Sequence, residues 1–271
     1  MTRVGGALGA EVAGVDLRQP VPDDVFARLE AALVEHQVLV LRDQPIEPGH
    51  QAALARRFGE IEIHPAYPAT PQCEDVRVLE HTAERPSKIE KWHSDMTFRP
   101  RPPLGTVLHG QVIPAVGGDT LFASMTAAFE SLSEHFGRLV DGLHAEHSFE
   151  HGFAESLAEP GGRERLAQAL RDNPPVVHPV VRRHPVDGRP AIFVNELFTT
   201  RIVELPPAES RTVLEFLWQH AVRPEHTFRV RWQPHTLVLW DNRSTQHRPV
   251  NDHGLAHRKL HRVTIAGDAP R

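Results

Sequence analysis

The spacing of apolar residues predicts helices in two parts of the chain. Apolar positions recur at helical intervals over residues 22–37, over residues 48–58, where Gly59 follows as a stop signal, and over residues 207–222. A short continuous apolar run, Val38–Leu41, lies between the first two helices and predicts a buried strand. The opening of the chain is therefore predicted to mix α and β structure.

Strand patterns dominate the remainder of the sequence. Alternation or short apolar runs predict strands near residues 76–79, 106–109, 120–122, 176–182, 191–194, 228–232, 237–240 and 260–265. Other patterns favour an early strand or extended arm over residues 8–17, a largely helical segment over 124–143, and a polar insertion with a helix in its second half over 150–173. This order predicts a mixed α/β protein with a mainly β core, a double-stranded β-helix (jelly roll) with flanking helices. No linker or repeat divides the sequence, so residues 1–271 are predicted to form a single domain.

Composition and charge narrow the class of function. The formal net charge of −5 argues against a general nucleic-acid surface. The N-terminus lacks a signal-peptide pattern, and no apolar run approaches the roughly 18 residues needed to span a membrane. We therefore expect a cytoplasmic protein that binds neither nucleic acid nor membrane. The single cysteine, Cys73, excludes an internal disulfide and any thiolate-rich metal site.

The segment Trp92-His93-Ser94-Asp95 is the strongest chemical feature of the sequence. In an extended segment residues i and i+2 point to the same side, so His93 and Asp95 can present an imidazole and a carboxylate to one point. A second imidazole from His247 would complete the two-histidine, one-carboxylate face that holds Fe(II) and leaves coordination positions open. A lone His-x-Asp is weak evidence in a chain with 19 histidines, so the hypothesis depends on further motifs.

Two other segments offer polar groups to such a site. Two prolines between residues 61 and 68 predict a stiff extended segment that could hold His64 and Tyr67 over a pocket, although a surface turn is the alternative. The Gly117-Gly118 turn returns the chain into a strand where Thr120 could offer a hydroxyl to a bound ligand, one strand away from the metal.

Ordered motifs along nearly the whole chain carry a family resemblance. They are Trp92-His93-Ser94-Asp95, Gly117-Gly118-Asp119-Thr120-Leu121, His178-Pro179-Val180-Val181-Arg182, Phe193-Val194-Asn195-Glu196, Trp240-Asp241-Asn242-Arg243 with Gln246-His247, and residues 258–268. The chain resembles the taurine dioxygenase family, the TauD/TfdA-like Fe(II)- and 2-oxoglutarate-dependent dioxygenases. The resemblance implies that His93, Asp95 and His247 bind iron. It also implies that Arg258, assisted by Thr120, binds the distal carboxylate of 2-oxoglutarate, a pairing that suits a planar guanidinium.

The same resemblance implies the reaction. 2-Oxoglutarate and O2 are expected as co-substrates, and oxidative decarboxylation to succinate and CO2 would be coupled to hydroxylation of a nearby carbon. If that carbon bears a sulfonate, the product collapses to an aldehyde and sulfite, whereas a sulfate ester would release sulfate. A small anionic substrate is expected, with an organosulfonate first and taurine as the leading single candidate. A homo-oligomer is expected by resemblance alone.

The resemblance also assigns residues to the substrate. The matching positions are His64 and Arg262 at the sulfonate, Tyr67 near the amine, and Phe153 and Phe198 in the pocket lining. Ile89 departs from the pattern, because the taurine enzymes carry an asparagine four residues before the first iron histidine. Isoleucine should weaken recognition of a short ammonium-bearing substrate and favour an apolar tail, unless a neighbouring side chain replaces the asparagine.

Other functions remain open at this point. An alkyl sulfate ester or an aryloxy acid could be the substrate of the same chemistry, or the barrel could bind a metal without catalysis. A zinc hydrolase is disfavoured, because Arg258 and Thr120 would then have no task.

Overall fold

The computed structural model describes residues 1–63, 67–87 and 89–271. The strands are β1 (Thr2–Arg3), β2 (Ala10–Glu11), β3 (Val38–Leu41), β4 (Ile61–Glu62), β5 (Ala69–Thr70), β6 (Cys73–His81), β7 (Gly105–Val112), β8 (Thr120–Ser124), β9 (His144–His147), β10 (Val176–Pro179), β11 (Val181–Arg183), β12 (Pro190–Ile192), β13 (Thr199–Ile202), β14 (Thr227–Val230), β15 (Leu237–Asp241), β16 (Thr245–Pro249) and β17 (Arg258–Ile265). The helices are α1 (Asp23–His36), α2 (Pro48–Phe58), α3 (Met125–Glu130), α4 (Glu134–Val140), α5 (Phe149–Gly152), α6 (Ala154–Ala158), α7 (Gly162–Arg165), α8 (Ala167–Asp172) and α9 (Pro207–Ala221), with a 3-10 turn at Pro224–His226. None of the helices in these ranges is long and apolar enough to cross a membrane.

The strands form one large sheet and three smaller ones. The large sheet runs in the order β1-β2-β3-β15-β7-β17-β6-β5, with β4 paired to β17. The smaller sheets run β14-β8-β16, β10-β9-β13 and β11-β12. Strands distant in sequence are hydrogen-bonded neighbours, as β15 is to both β3 and β7, and this long-range antiparallel pairing is typical of a jelly roll.

Alternate residues of β3 face two different cores. Val38 and Val40 pack between the large sheet and the β14-β8-β16 sheet, in a cluster with Leu8, Leu108, Phe122, Val230, Trp232, Val238, Trp240 and Leu260. Leu39 and Leu41 point the other way, into a cluster that includes residues of α1 and α2. Because side chains alternate along a strand, a strand covered on both faces needs apolar residues throughout. This explains the uninterrupted run Val38–Leu41.

Three predicted segments are more finely divided in the structure than in the prediction. Residues 124–143 are largely helical, as predicted, but form two separate helices, α3 and α4, each with a serine cap: Ser124 accepts from Ala127 N–H at 3.1 Å and Ser133 from Phe136 N–H at 3.3 Å. The insertion predicted over residues 150–173 is helical in its second half, as predicted, through α7 and α8, and two further short helices, α5 and α6, come before them. Within the predicted arm over residues 8–17 only Ala10–Glu11 is a strand.

Candidate metal and co-substrate site

Main-chain pairing brings His93 and His247 together. His93 forms an isolated antiparallel bridge with His247 of β16, in which His93 N–H donates to His247 O at 3.0 Å and His247 N–H donates to His93 O at 2.8 Å. Directly opposed residues project to the same face of a strand pair. The two imidazole centroids consequently lie 4.2 Å apart.

Asp95 completes a three-residue donor set. The Nε2 atoms of His93 and His247 each lie 3.9 Å from Asp95 Oδ1, and the three ligand atoms lie within 4.8 Å of one another. All three residues are buried. In the described ranges no other group of three or more histidines, cysteines or carboxylates could hold a metal ion. Two imidazoles and one carboxylate on one face fit Fe(II) and leave positions for other ligands.

Neighbouring groups orient these donors. His93 Nδ1 lies 2.9 Å from the carbonyl oxygen of Lys91, which places the ring proton on Nδ1 and leaves the Nε2 lone pair for a metal. Asp95 Oδ2 accepts a hydrogen bond from Thr106 Oγ1 at 3.0 Å and pairs with Arg262 Nη2 at 2.7 Å. Both contacts engage the same carboxylate oxygen, so Oδ1 remains directed at the imidazoles.

The charges of the site favour metal binding over protonation. Burial alone would raise the pKa of Asp95, but the positive charge of Arg262, with smaller contributions from His247 and His93, holds it well below the usual range. The pKa of His247 is lowered to about 3, mainly by burial and also by the neighbouring His93, while Asp95 opposes the shift. The pKa of His93 is also lowered by burial. Neutral imidazoles beside an ionised carboxylate are the forms that bind a cation.

Arg258 and Thr120 lie on strands next to this donor set. Thr120 begins β8, the neighbour of β16, and its Oγ1 accepts a hydrogen bond from Trp232 Nε1 at 3.0 Å. Arg258 Nε donates to the carbonyl oxygen of Gly118 at 3.0 Å. Burial lowers the pKa of Arg258 to about 10, opposed by the charge of Asp119, so the guanidinium stays charged at neutral pH. No carboxylate within the described part of the chain forms an ion pair with Arg258.

An aromatic cluster forms one wall beside the metal ligands. It consists of Met96, Phe98, Phe149, Phe153 and Phe198, with Leu166, Ala169, Leu170 and Leu197 packed against them. The Phe198 ring lies edge-on to the His93 ring at a centroid distance of 6.2 Å, and Phe153 lies 6.3 Å from Phe198. The helices α5 to α8 of the polar insertion supply much of this wall, so two predicted pocket residues, Phe153 and Phe198, are brought together near the metal site.

The other predicted substrate residues are placed as follows. Arg262 lies at the site, with Nη2 on Asp95 and Nε donating to Thr264 Oγ1 at 3.1 Å, while Nη1 has no hydrogen-bond partner among the described residues. Burial raises the pKa of Tyr67, and the charges of Arg262 and Asp95 also influence it, so Tyr67 lies near them. Ile89 is half-buried, and its carbonyl oxygen accepts from Asn251 Nδ2 at 3.2 Å. His64 lies outside the described residues.

The sequence did not single out three residues that support the site. Thr106 bonds Asp95, Trp232 bonds Thr120, and Asn242 bonds the backbone of Asp95. A polar residue directly after the buried run of β15 could have marked Asn242, since backbone-binding amides occupy such positions. Thr106 and Trp232 stand in predicted strands and carry no local signal.

Comparison with known proteins identifies the group to which this arrangement belongs. The family "Taurine catabolism dioxygenase TauD, TfdA family" matches residues 2–264. An alkylsulfatase of Acinetobacter baylyi is 33% identical, covering 99% of this chain and 85% of its own length. An alpha-ketoglutarate-dependent sulfate ester dioxygenase of Pseudomonas putida is 34% identical, covering 98% and 89%. The crystal structure of a taurine dioxygenase from Burkholderia xenovorans, 32% identical, superposes with a TM-score of 0.85 over 99% of this chain and 89% of that one.

The chain belongs to the TauD/TfdA family. It is therefore a 2-oxoglutarate-dependent dioxygenase, with Fe(II) as its metal and O2 as the second co-substrate. The structural match confirms the predicted double-stranded β-helix with flanking helices. A buried two-histidine, one-carboxylate set, such as that of His93, Asp95 and His247, is donor chemistry that fits Fe(II).

Proposed function

We propose that this dioxygenase holds Fe(II) with His93, Asp95 and His247 and oxidises the carbon next to the sulfur group of an alkyl sulfur oxyanion, an organosulfonate or an alkyl sulfate ester. The observation that carries the proposal is the convergence of three buried donors beside an arginine and an aromatic wall. When bound, Fe(II) supplies the O2 chemistry that couples conversion of 2-oxoglutarate into succinate and CO2 to hydroxylation of the substrate.

Arg258 and Thr120 are proposed to bind 2-oxoglutarate. The Nε–H of Arg258 is already used by Gly118, so the two terminal nitrogens are left to form parallel hydrogen bonds with a carboxylate. Since Thr120 Oγ1 accepts from Trp232, its own hydroxyl proton is free to be donated to the same carboxylate. The two roles complement one another: Arg258 supplies positive charge, and Thr120 supplies a hydroxyl donor oriented by its bond to Trp232.

The lining of the site favours an anion with an apolar chain. Arg262 supplies positive charge beside the metal ligands, and the aromatic cluster supplies apolar surface. The nearby carboxylates are occupied: Asp95 pairs with Arg262 and Glu62 pairs with Arg99. An ammonium group would thus meet paired carboxylates and the half-buried Ile89, which supports a longer alkyl chain over taurine as the preferred substrate.

The two candidate substrate classes are distinguished by the anion that is released. Hydroxylation of a sulfonate-bearing carbon breaks the C–S bond and gives an aldehyde and sulfite. Hydroxylation of the ester carbon of an alkyl sulfate breaks the C–O bond and gives the aldehyde and sulfate. In both cases O2 contributes one oxygen atom to succinate and one to the product.

The test supplies Fe(II)-loaded protein with 2-oxoglutarate, air and one of four compounds: hexanesulfonate, hexyl sulfate, taurine or phenoxyacetate. We expect hexanal with sulfite or sulfate from a hexyl compound, at a higher kcat/KM than sulfite release from taurine. Phenol release from phenoxyacetate as the fastest reaction would replace the proposal with an aryloxy acid dioxygenase. Absence of substrate-stimulated succinate from all four would contradict the proposed substrate class.

A cytoplasmic location and a homo-oligomeric assembly are part of the same proposal. Size-exclusion chromatography with light scattering tests the assembly, and a monomeric mass would contradict it.

A further inference from the structure

We infer that Asn242 is a positioning residue that fixes Asp95 as a metal ligand by holding its main chain. The inference rests on the proposed role of Asp95 in binding the metal. It concerns a residue that contacts neither the substrate nor the metal position and acts only through the ligand.

The side-chain amide of Asn242 accepts one hydrogen bond and uses both of its N–H groups as donors. Its Oδ1 accepts from Asp95 N–H at 2.6 Å, and its Nδ2 donates to Asp95 O at 3.0 Å and to Pro103 O at 3.2 Å. Asn242 is 1% exposed, so water does not compete for these groups. Because Asn242 engages the N–H and the C=O of one residue, it fixes the peptides on both sides of Asp95.

The backbone at this point needs such support. Met96, the next residue, has φ of +50°, a left-handed conformation that a side chain disfavours by roughly 1–2 kcal/mol. The carbonyl group that Asn242 holds belongs to the peptide joining Asp95 to Met96. Keeping that peptide in place keeps Asp95 facing the histidines while Met96 turns into the aromatic cluster.

Asp95 is held at both of its ends. Asn242 fixes the main chain, and Thr106 and Arg262 fix the Oδ2 atom. Asn242 also stands five residues before His247, in the turn between β15 and β16. The same turn therefore positions His247 through the main chain that leads into β16, and Asp95 through the side chain of Asn242.

Gln44 offers a matched control in the same protein. Its Oε1 accepts from Leu17 N–H at 3.0 Å, and its Nε2 donates to Val15 O and Arg42 O, both at 3.0 Å. Like Asn242, it is a buried amide with one accepted and two donated bonds to main-chain groups. Unlike Asn242, it holds the N-terminal loop and no proposed metal ligand.

The experiment compares Asn242→Ala with Gln44→Ala by titrating the metal-free proteins with Mn(II), without 2-oxoglutarate or substrate. We expect both variants to lower the melting temperature of the metal-free protein. Asn242→Ala should also raise the Mn(II) dissociation constant by about 10–100-fold, as loss of a ligand's supporting partner does. Gln44→Ala should leave it within about twofold, since the two sites share no partner.

Equal Mn(II) affinities of the two variants would overturn the inference. If Asn242→Ala does not fold, Asn242→Asp takes its place: it keeps the acceptor for Asp95 N–H but sets a carboxylate oxygen against the carbonyl oxygens of Asp95 and Pro103, so its Mn(II) dissociation constant should still rise more than that of Gln44→Ala. A native protein that does not bind Mn(II) would instead overturn the metal site, and the proposed function with it.

Discussion

At the scale of single residues, the candidate site depends on buried groups that lack a second partner within residues 1–63, 67–87 and 89–271. Thr106 and Arg262 engage Oδ2 of Asp95, which leaves Oδ1 for the proposed metal. Arg258 donates only its Nε–H within the described residues and presents its other donors to a ligand. A buried polar group with unused hydrogen-bonding capacity costs free energy unless a ligand pairs with it, so these residues point to ligand binding and not to stability.

Replacing Arg258 with lysine should weaken 2-oxoglutarate binding. Lysine keeps the charge but loses the paired donors, and the loss of one charge-assisted hydrogen bond predicts a rise in KM for 2-oxoglutarate of about 10–100-fold. Arg229→Lys is the control, since Arg229 pairs with Asp119 at the surface. Steady-state kinetics with varied 2-oxoglutarate measure the effect, and equal KM values for both variants would refute the role of Arg258.

Replacing Ile89 with asparagine should shift substrate preference toward taurine. A polar amide at this half-buried position can bond an ammonium group that isoleucine cannot, which predicts a gain of about tenfold in the taurine-to-hexanesulfonate ratio of kcat/KM. Val116→Asn makes the same chemical change at an exposed position and should leave the ratio unchanged. If the ratio is the same in both variants, Ile89 does not determine specificity.

At the scale of elements, the helices α5 and α8 and the segment that follows Asp95 pack together in the aromatic cluster. Gly152 ends α5 against Phe198, and a Cβ atom there would lie 2.3 Å from the Phe198 ring. Phe198 packs in turn on Phe98, with ring centroids 5.0 Å apart. We therefore expect a change in this short helix to reach Phe198, on the proposed substrate side of the candidate metal ligands.

Gly152→Ala should destabilise the protein and weaken binding of a hexyl substrate. Overpacking of this kind costs about 1–3 kcal/mol, and the displaced Phe198 ring narrows the pocket. Gly137→Ala in α4 is the matched change: among the described residues its Cβ would approach only Phe129 Cζ, at an ordinary contact distance of 3.7 Å, and alanine should stabilise the helix by about 0.5–1 kcal/mol. Urea denaturation of both variants tests this, and shifts of the same sign would contradict it.

The bounds of a helix or strand were predicted best where a single local sequence pattern defines the element. Val38–Leu41 and Pro48–Phe58 have the predicted bounds, because an apolar run defines the first and an apolar face followed by Gly59 defines the second. Residues 124–143 are largely helical as predicted, but the break between α3 and α4 was not predicted, because the capping serines are weak signals among other helix-compatible residues. The assumption of a single domain stays a prediction.

The candidate site was predictable only in part. The resemblance predicted that His93, Asp95 and His247 act together, and the structure places their ligand atoms within 4.8 Å. Their supporting contacts were not predictable: the position of Asn242 after a buried strand hints at a backbone-binding amide but not at its partner Asp95, 147 residues away in the sequence, and Thr106 gives no motif. Such contacts depend on strand register, which becomes known only once the fold is known.

At the scale of the whole molecule, buried neutral histidines make the fold sensitive to acid. Burial lowers the pKa of His109 from its ordinary 6.5 to about 4. The unfolded chain therefore binds more protons than the folded one between these pH values, and stability must fall as pH falls through that window. His109 alone contributes about 1.4 kcal/mol per pH unit there, and His147, with its pKa also lowered by burial, acts in the same direction.

The free energy of unfolding should consequently decline steeply between pH 6.5 and 4. His109→Gln should flatten the decline, because glutamine can still donate toward the Gln44 carbonyl oxygen that His109 Nε2 approaches at 2.7 Å and cannot be protonated. Urea denaturation at several pH values measures the slope. An unchanged slope in the variant would show that His109 does not stay neutral in the fold.

The proposed iron site is tested by comparing substrate-stimulated succinate formation by the native protein and by His247→Ala, each with Fe(II), 2-oxoglutarate, air and a hexyl sulfur oxyanion. We expect succinate in step with hexanal from the native protein and neither product from the variant, which should remain folded. Equal turnover in the variant would contradict the proposed iron site.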